Sequence, residues 1–221
     1  MAGSWPRDNS DGSIQRAEAL RTGQDRSEIE GVTEWLAQVA PELADDHGRL
    51  RRLFSLLDRY QREKWRRHVS AGDSMIDRWE RATLLGFGEG TSVYDSALIL
   101  GDVRVGRDTW IGPGTVLDGS GGLTIGDTCS ISAGVQIYSH DSVRWAVTGG
   151  RAEAELRPTV IGSSTYIGPN AIVSMGVTVG SRCIVGASSL VNDDVPAGHV
   201  ALGTPARVVD ETDAFLARRG S

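Results

Sequence analysis

Much of what could give this 221-residue chain a function is scarce or missing. There are two cysteines, Cys129 and Cys183. Both read as small buried hydrophobes, which excludes a disulfide framework and a cysteine metal site. There are four histidines, and only His140 falls in the repetitive part of the chain, too few for three to converge on zinc there. No apolar run is long enough to cross a bilayer. The opening residues, "MAGSWPRDNSDGS", lack the apolar stretch of a signal peptide. A soluble cytoplasmic protein is the simplest account. Positive charge is not in excess: the net charge is −6, which gives no footprint for nucleic acid. No P-loop and no glycine-rich dinucleotide fingerprint occurs. No serine has a histidine and an acid arranged by motif around it.

Branched aliphatics at a fixed interval are abundant. Val93, Ile99, Val105, Ile111 and Leu117 stand six apart. After a two-residue slip come Ile125, Ile131 and Ile137. After a longer interruption the count resumes at Ile161, Ile167, Val173, Val179, Val185 and Val191. Neither a helix nor an alternating strand has this period. A chain that makes a short strand, turns and repeats does. Each unit is one side of a prism with its aliphatic inside, and three sides make one coil. About five coils follow, stable only when stacked. The interior columns are expected to be Val93, Ile111, Ile131, Ile167 and Val185, then Ile99, Leu117, Ile137, Val173 and Val191, then Val105, Ile125, Ile161 and Val179. The residue four places after each aliphatic, such as Thr109, Cys129 or Ala171, is small or β-branched and also faces in. Glycine often follows the aliphatic, as at Gly112 and Gly168, which suits a corner whose backbone angles a side chain disfavours.

Six of the 28 glycines precede residue 82, and that shift marks a domain boundary. Residues 1–26 are polar and read as a disordered arm. Residues 27–82 read as a helical subdomain covering the open first coil. Ser27, with Glu30 three later, has the spacing of a capping box for a helix carrying Trp35, Leu36 and Val39, which Pro41 breaks. A longer helix is expected from Glu42 to about Ser70. Leu50, Leu53, Leu57 and Tyr60 form its apolar face, opposite Arg51, Arg52, Arg59, Glu63 and Arg66. That charge reads as a solvated face, with binding of an anionic substrate as the lesser reading. Ala71-Gly72 ends the helix, and Asp73 or Ser74 caps a third one with Ile76 and Trp79. Residues 83–209 are the solenoid. Residues 210–221 are a tail in which "DETDAFLARRG" reads as a short final helix. After Val191 the chain is expected to leave the prism.

Two places interrupt the hexads. "DGSGG" follows Leu117, with Asp118 at the corner itself. It reads either as a bulged corner with Asp118 bonded to its own turn, or as flexible backbone that a ligand approaches. The second, residues 138–160, is too polar for a wall, and long loops in compact repeats are usually functional. It holds His140, Asp141, Arg144 and Trp145. The last three are candidates for binding substrate, with a ring to stack and an acid or phosphate to pair. A lone histidine is ordinarily structural.

The segments "VGRDTWIGPGTV", "IGDTCSISAGVQIYSHD" and "IGSSTYIGPNAIVSMGVTVGSRCIVGASSLV" resemble the hexapeptide-repeat acyltransferases. "IYSHD", the long loop and the closing "ALGTPARVV" are most similar to the sugar and polysaccharide O-acetyltransferases among them. The resemblance implies a mainly β fold, a left-handed parallel β-helix. It implies that His140, which opens the long loop, is the general base that takes a proton from an acceptor hydroxyl. Asp118, one coil away from Ile137, is the first candidate to orient that imidazole, and Asp141 the second. The resemblance further implies acetyl-CoA as acyl donor, no metal, and a homotrimer with sites between prisms. The loop would reach over a neighbouring subunit. Carried over, the donor-binding positions are Tyr166, Gly168, Ala187, Thr204 and Arg207. Direct transfer without a covalent intermediate is expected. N-acylation of an amino sugar, serine acetylation and a catalytically silent scaffold are the alternatives.

Overall fold

The computed structural model describes residues 31–219, so the arm at 1–26 and the capping pair Ser27 and Glu30 lie outside the described residues. The chain divides into two compact units, Met1–Leu56 and Leu57–Ser221. In the first, helix α1 (Val32–Val39) starts after Gly31, and α2 (Pro41–Trp65) begins. Pro41 both stops α1 and opens α2, because its missing N–H costs nothing at a first helical position. Thr33 Oγ1 and His47 Nδ1 are hydrogen-bonded at 2.9 Å.

α2 ends at Trp65, earlier than the apolar spacing implies, because Arg66 adopts a left-handed conformation with φ 51°. Two short helices follow, α3 (Ala71–Met75) and α4 (Arg78–Leu84). The expected cap at Asp73 or Ser74 is replaced by Ser70, whose hydroxyl accepts from Asp73 N, so Ala71 begins a helix instead of ending one. Asp77 caps α4 by accepting from Trp79 N at 2.9 Å. Short oxygen-bearing side chains compete with the helix for backbone N–H groups, and that sets these boundaries. α4 contributes the buried Ala82 to the core at the first turn of the solenoid.

The second unit contains a left-handed parallel β-helix of about six turns. Its first face stacks Val93, Ile111, Ile131, Ile167 and Val185. Its second stacks Ile99, Leu117, Ile137, Val173 and Val191. Its third stacks Val105, Ile125, Ile161 and Val179. These are the three expected columns. All but Ile99 are buried, and each fully buried aliphatic contributes about 1.5–3 kcal/mol. The prism runs further than the hexad count. Val195 bridges to Val179 on the third face, and Val200 and Ala201 pair with Val185's strand on the first. The strand His199–Gly203 then turns back antiparallel against Ala206–Glu211, and α6 follows, which the numbering below reserves for Thr212–Arg219.

The hexad's glycines have a different cause from the one expected. Gly168 has no positive φ, but a Cβ there would sit 2.5 Å from the backbone nitrogen of Ala187, one turn away. Adjacent coils stack too closely for any side chain at that place. The left-handed backbone falls two places later, three after each aliphatic. Asp108, Thr128, Ser164, Asn170, Arg182 and Ser188 hold it with φ of 54–59°. The next residue inward is often threonine. Thr109 Oγ1 donates to Gly126 O and accepts from Cys129 N, linking successive turns.

At "DGSGG" the wall does not open. Val116–Ile125 is one continuous strand pairing with Leu98–Val105 through a register shift near Gly101. The two extra residues are absorbed by flattening the corner between the second and third faces.

Candidate functional site

The second face ends its third rung at Ile137, and the chain leaves the wall there. Ser139 is still buried. His140–Asp141 then pairs antiparallel with Glu155–Leu156, and a helical turn, α5 (Val143–Val147), closes the projecting arm. Interruption of the hexads thus produces a ribbon anchored at both ends. Arg157 N donates to Ser139 O, and Thr159 Oγ1 donates to Tyr138 O at 2.7 Å.

Leu117 is the rung partner of Ile137, so the residues that follow them are neighbours. Asp118 is 0% exposed, at the root of the arm. Its Oδ2 lies 2.6 Å from His140 Nδ1. The same oxygen accepts from Ser139 N at 2.9 Å and Ser139 Oγ at 3.4 Å. Oδ1 accepts from Ser120 Oγ at 2.5 Å and Ser120 N at 3.1 Å. Burial alone would push this carboxyl up. The bonds from Ser120, Ser139 and His140 outweigh it and hold the group below the usual carboxylate range. An ionised carboxylate only accepts, so the shared proton sits on Nδ1 and the Nε2 lone pair is left over. Nε2 has no hydrogen-bond partner among the described residues. The His140 side chain is 37% exposed, and the Tyr138 ring meets it edge-on at 6.2 Å.

The other expected residues fall into two groups. On the arm, Asp141 is turned toward its own loop, where Oδ1 accepts from Val143 N at 2.6 Å, and it makes no bond to the imidazole. Arg144 is paired with Glu155 at 3.5 Å, as is Arg157 at 3.3 Å, and Trp145 is exposed. The candidate donor-binding residues lie elsewhere. Tyr166 projects from the first face, between Ser130 and Ile184 in the ladder. Gly168 and Ala187 follow the first-face rungs Ile167 and Val185, and Thr204 follows the rung of Ala201. Thr204 Oγ1 donates to Ser188 O at 2.9 Å. Arg207 reaches Asp193 at 3.3 Å and Ala206 O at 2.8 Å. Gly168, Ala187 and Thr204 therefore lie on the edge between the first and second faces. Asp118 and His140 lie where the second face passes to the third. One prism does not bring the two sets together.

Ser120 and Ser139 escaped the sequence reading. The only signal for them was adjacency, each within two residues of a candidate, in "DGS" and "YSHD". The two cysteines face inward. Cys129 Sγ donates to Gly162 O at 3.2 Å, and burial pushes its thiol up, the reverse of what a nucleophile needs.

Comparison with known proteins bears on these features. The model for the bacterial transferase hexapeptide (six repeats) matches residues 158–193. That for the hexapeptide repeat of succinyl-transferase matches residues 102–139. A galactoside O-acetyltransferase from Escherichia coli is 35% identical over 97 residues, 40% of this chain and 48% of that protein. A 2,3,4,5-tetrahydropyridine-2,6-dicarboxylate N-acetyltransferase from Staphylococcus aureus is 46% identical over 54 residues, 24% of this chain and 23% of its own length. The chain thus spans less than half the length of these curated relatives. Among solved structures, the N-acyltransferase AntD from Bacillus cereus, in complex with dTDP and 3-hydroxybutyryl-CoA, matches with a TM-score of 0.53 at 20% identity. That match covers 61% of this chain and 80% of the other, and it supports the fold.

Proposed function

This chain belongs to the hexapeptide-repeat proteins of the bacterial transferase type, and on that footing we propose that it transfers an acetyl group from acetyl-CoA to a hydroxyl of a saccharide or related molecule. The observation that carries the reading is the buried, ionised Asp118 bonded to His140 Nδ1, with Nε2 left as a lone-pair acceptor at the root of the arm. Nε2 takes the proton of the acceptor hydroxyl as its oxygen attacks the thioester carbonyl. The tetrahedral intermediate collapses, the C–S bond breaks, and the imidazolium returns its proton to the leaving CoA thiolate. Asp118 holds the tautomer and stabilises the charge on the ring. General-base assistance of this kind contributes on the order of 10²–10⁴ in rate.

The donor would lie along the edge carrying Gly168, Ala187 and Thr204, with Arg207 near a CoA phosphate and Tyr166 beside it. Because that edge is not the edge of His140, the reading requires the His140 edge of one copy to face the donor edge of another. A cyclic homotrimer meets that requirement. The arm, with Asp141, Arg144 and Trp145, would then border the acceptor. The catalytic domain in this reading spans residues 83–209, with residues 27–82 as a helical addition. Use of acetyl-CoA implies a cytoplasmic site.

The test is release of free CoA thiol from acetyl-CoA in the presence of sugars and nucleotide sugars. His140→Ala should abolish turnover while leaving the fold and the thermal stabilisation by CoA intact. Turnover near the native rate in that variant would sink the mechanism. The similarity to an N-acetyltransferase supports a second reading, in which the same base serves an amine. Amino sugars in the same panel separate the two.

A further inference from the structure

α2 is nearly bare. Gln61 is its one buried residue. Leu43, Leu50, Leu53, Leu56 and Tyr60 are each 42–53% exposed, and at about 100° per residue they share one stripe along the helix. Trp65 continues the exposed apolar surface at its C-terminal end. Arg51, Arg52, Arg59 and Arg62 occupy the opposite face. From Arg49 to Arg67 there are eight basic side chains against two acidic ones, a local charge of +6 on a chain whose total is −6. The acidic partners do not cancel this run. Arg62 reaches Asp58 at 3.1 Å and Arg59 reaches Glu63 at 4.0 Å, while Arg51, Arg52 and Arg66 make no ion pair among the described residues. Lys64 lies over the rings of Tyr60 and Trp65, 5.2 and 5.1 Å from their centroids.

No described helix is long and apolar enough to cross a membrane. An amphipathic helix with leucine and aromatic residues on one face and arginine on the other has a different use, which is to lie in the interface of a bilayer. We propose that α2 seats this protein on an anionic lipid surface, its leucine stripe in the headgroup region and its arginines against lipid phosphates. The charge decides between this occupant and a second copy of α2. Packing two helices that each carry +6 sets like charges side by side, whereas an anionic surface neutralises them. The proposal does not rest on the acetyl-transfer reading.

The test is co-sedimentation of the full chain with vesicles of phosphatidylcholine alone or mixed with phosphatidylglycerol. Partition should require phosphatidylglycerol and be lost at about 1 M salt, where charges are screened within roughly 3 Å. The Arg51→Gln/Arg52→Gln variant should bind roughly 30-fold more weakly, from about a fivefold loss per basic residue. Leu50→Ser/Leu53→Ser should also weaken binding. Both changes are at exposed positions, and circular dichroism with unchanged acetylation of a soluble acceptor would confirm intact folds. Equal partition with and without phosphatidylglycerol, or native binding by the arginine variant, would overturn the proposal. So would a fall in sedimentation-equilibrium mass on Leu50→Ser/Leu53→Ser without vesicle binding, which would assign the stripe to a second copy. Binding of RNA in place of vesicles would assign the basic face to nucleic acid.

Discussion

Asp118→Asn tests the link between burial, charge and chemistry at the root of the arm. The carboxylate accepts from Ser120 through Oδ1 and from Ser139 and His140 through Oδ2. An asparagine keeps most of these bonds by turning its oxygen toward Ser139 and His140. Its NH₂ then faces Ser120, whose backbone N–H loses its acceptor but is on the exposed side of the site. The cost in stability should be about 1 kcal/mol, the low end for an orphaned donor. The cost in rate should be larger. A bond to a charged acceptor becomes one to a neutral acceptor, a loss of about 1 kcal/mol. The imidazolium formed in the reaction also loses an adjacent negative charge, which at an effective dielectric of 20 is worth a few kcal/mol. We expect about 3 kcal/mol in all, or roughly 100-fold in kcat, with KM for acetyl-CoA unchanged. The pH dependence of stability has a definite sign. The folded pKa of Asp118 lies below its unfolded value of about 3.9, so the ionised group stabilises the fold above that pH and ceases to do so as pH falls through the folded value. The deficit of Asp118→Asn should therefore be steady from neutral pH down to about 4 and shrink below it. Steady-state kinetics and urea titrations at several pH values measure both. A folded Asp118→Asn enzyme within twofold of native kcat, or a deficit that grows on acidification, would refute the reasoning.

Other expectations follow from the wall. Thr115 Oγ1 is buried without a hydrogen-bond partner, whereas Thr109 Oγ1 bridges two turns, so Thr115→Val should raise stability by about 1 kcal/mol and Thr109→Val should lower it by a similar amount. Urea midpoints decide this, and equal signs would contradict it. Gly114 holds the left-handed place that Asn170 holds elsewhere, so Gly114→Asn should leave the melting temperature within a few degrees. Gly168→Ala, aimed at the Ala187 backbone, should cost about 1–3 kcal/mol. If sites form between copies, mixing inactive His140→Ala with an inactive donor-edge variant such as Ala187→Trp should restore activity at about a quarter of the sites, by random assembly of a cyclic oligomer. No recovery after mixing and refolding would count against a shared site.

The interior was legible because one requirement repeats. Every rung must put one aliphatic inward, and a column that fails once would leave a cavity costing several kcal/mol. The spacing therefore survives insertions, and Leu117 and Ile137 could be paired across the slip at "DGSGG" before any coordinates. What the period did not reveal has physical causes too. Val195 and Ala201 continue two faces off the six-residue count, because a turn at the open end need not repeat for a neighbour above it. The glycines after the aliphatics looked like corner residues, but their cause is the distance between coils, a property of the stack and not of one unit. Helix boundaries at Arg66 and Ser70 turn on single backbone angles and caps, which apolar spacing does not encode.

The same logic separates the legible part of the site from the rest. Proximity of Asp118 to His140 follows from rung arithmetic, since each is the first or third residue past a paired aliphatic. Ser120 and Ser139 could not be singled out, because their role depends on where hydroxyls point once the corner is flattened. The arm's course was equally hidden: a polar insertion announces that the chain leaves the wall, but not that it returns as an antiparallel ribbon pairing His140 with Leu156. That ribbon has a consequence for chemistry. It is bonded at its root through Arg157 N to Ser139 O, beside the carboxylate, so the imidazole is held by the wall on one side and by the arm's return strand on the other. A base fixed from both sides keeps its Nε2 direction while the tip of the arm, with Trp145, varies. Substitutions at the tip should therefore change which acceptor is used, and substitutions at the root should change the rate for all acceptors alike.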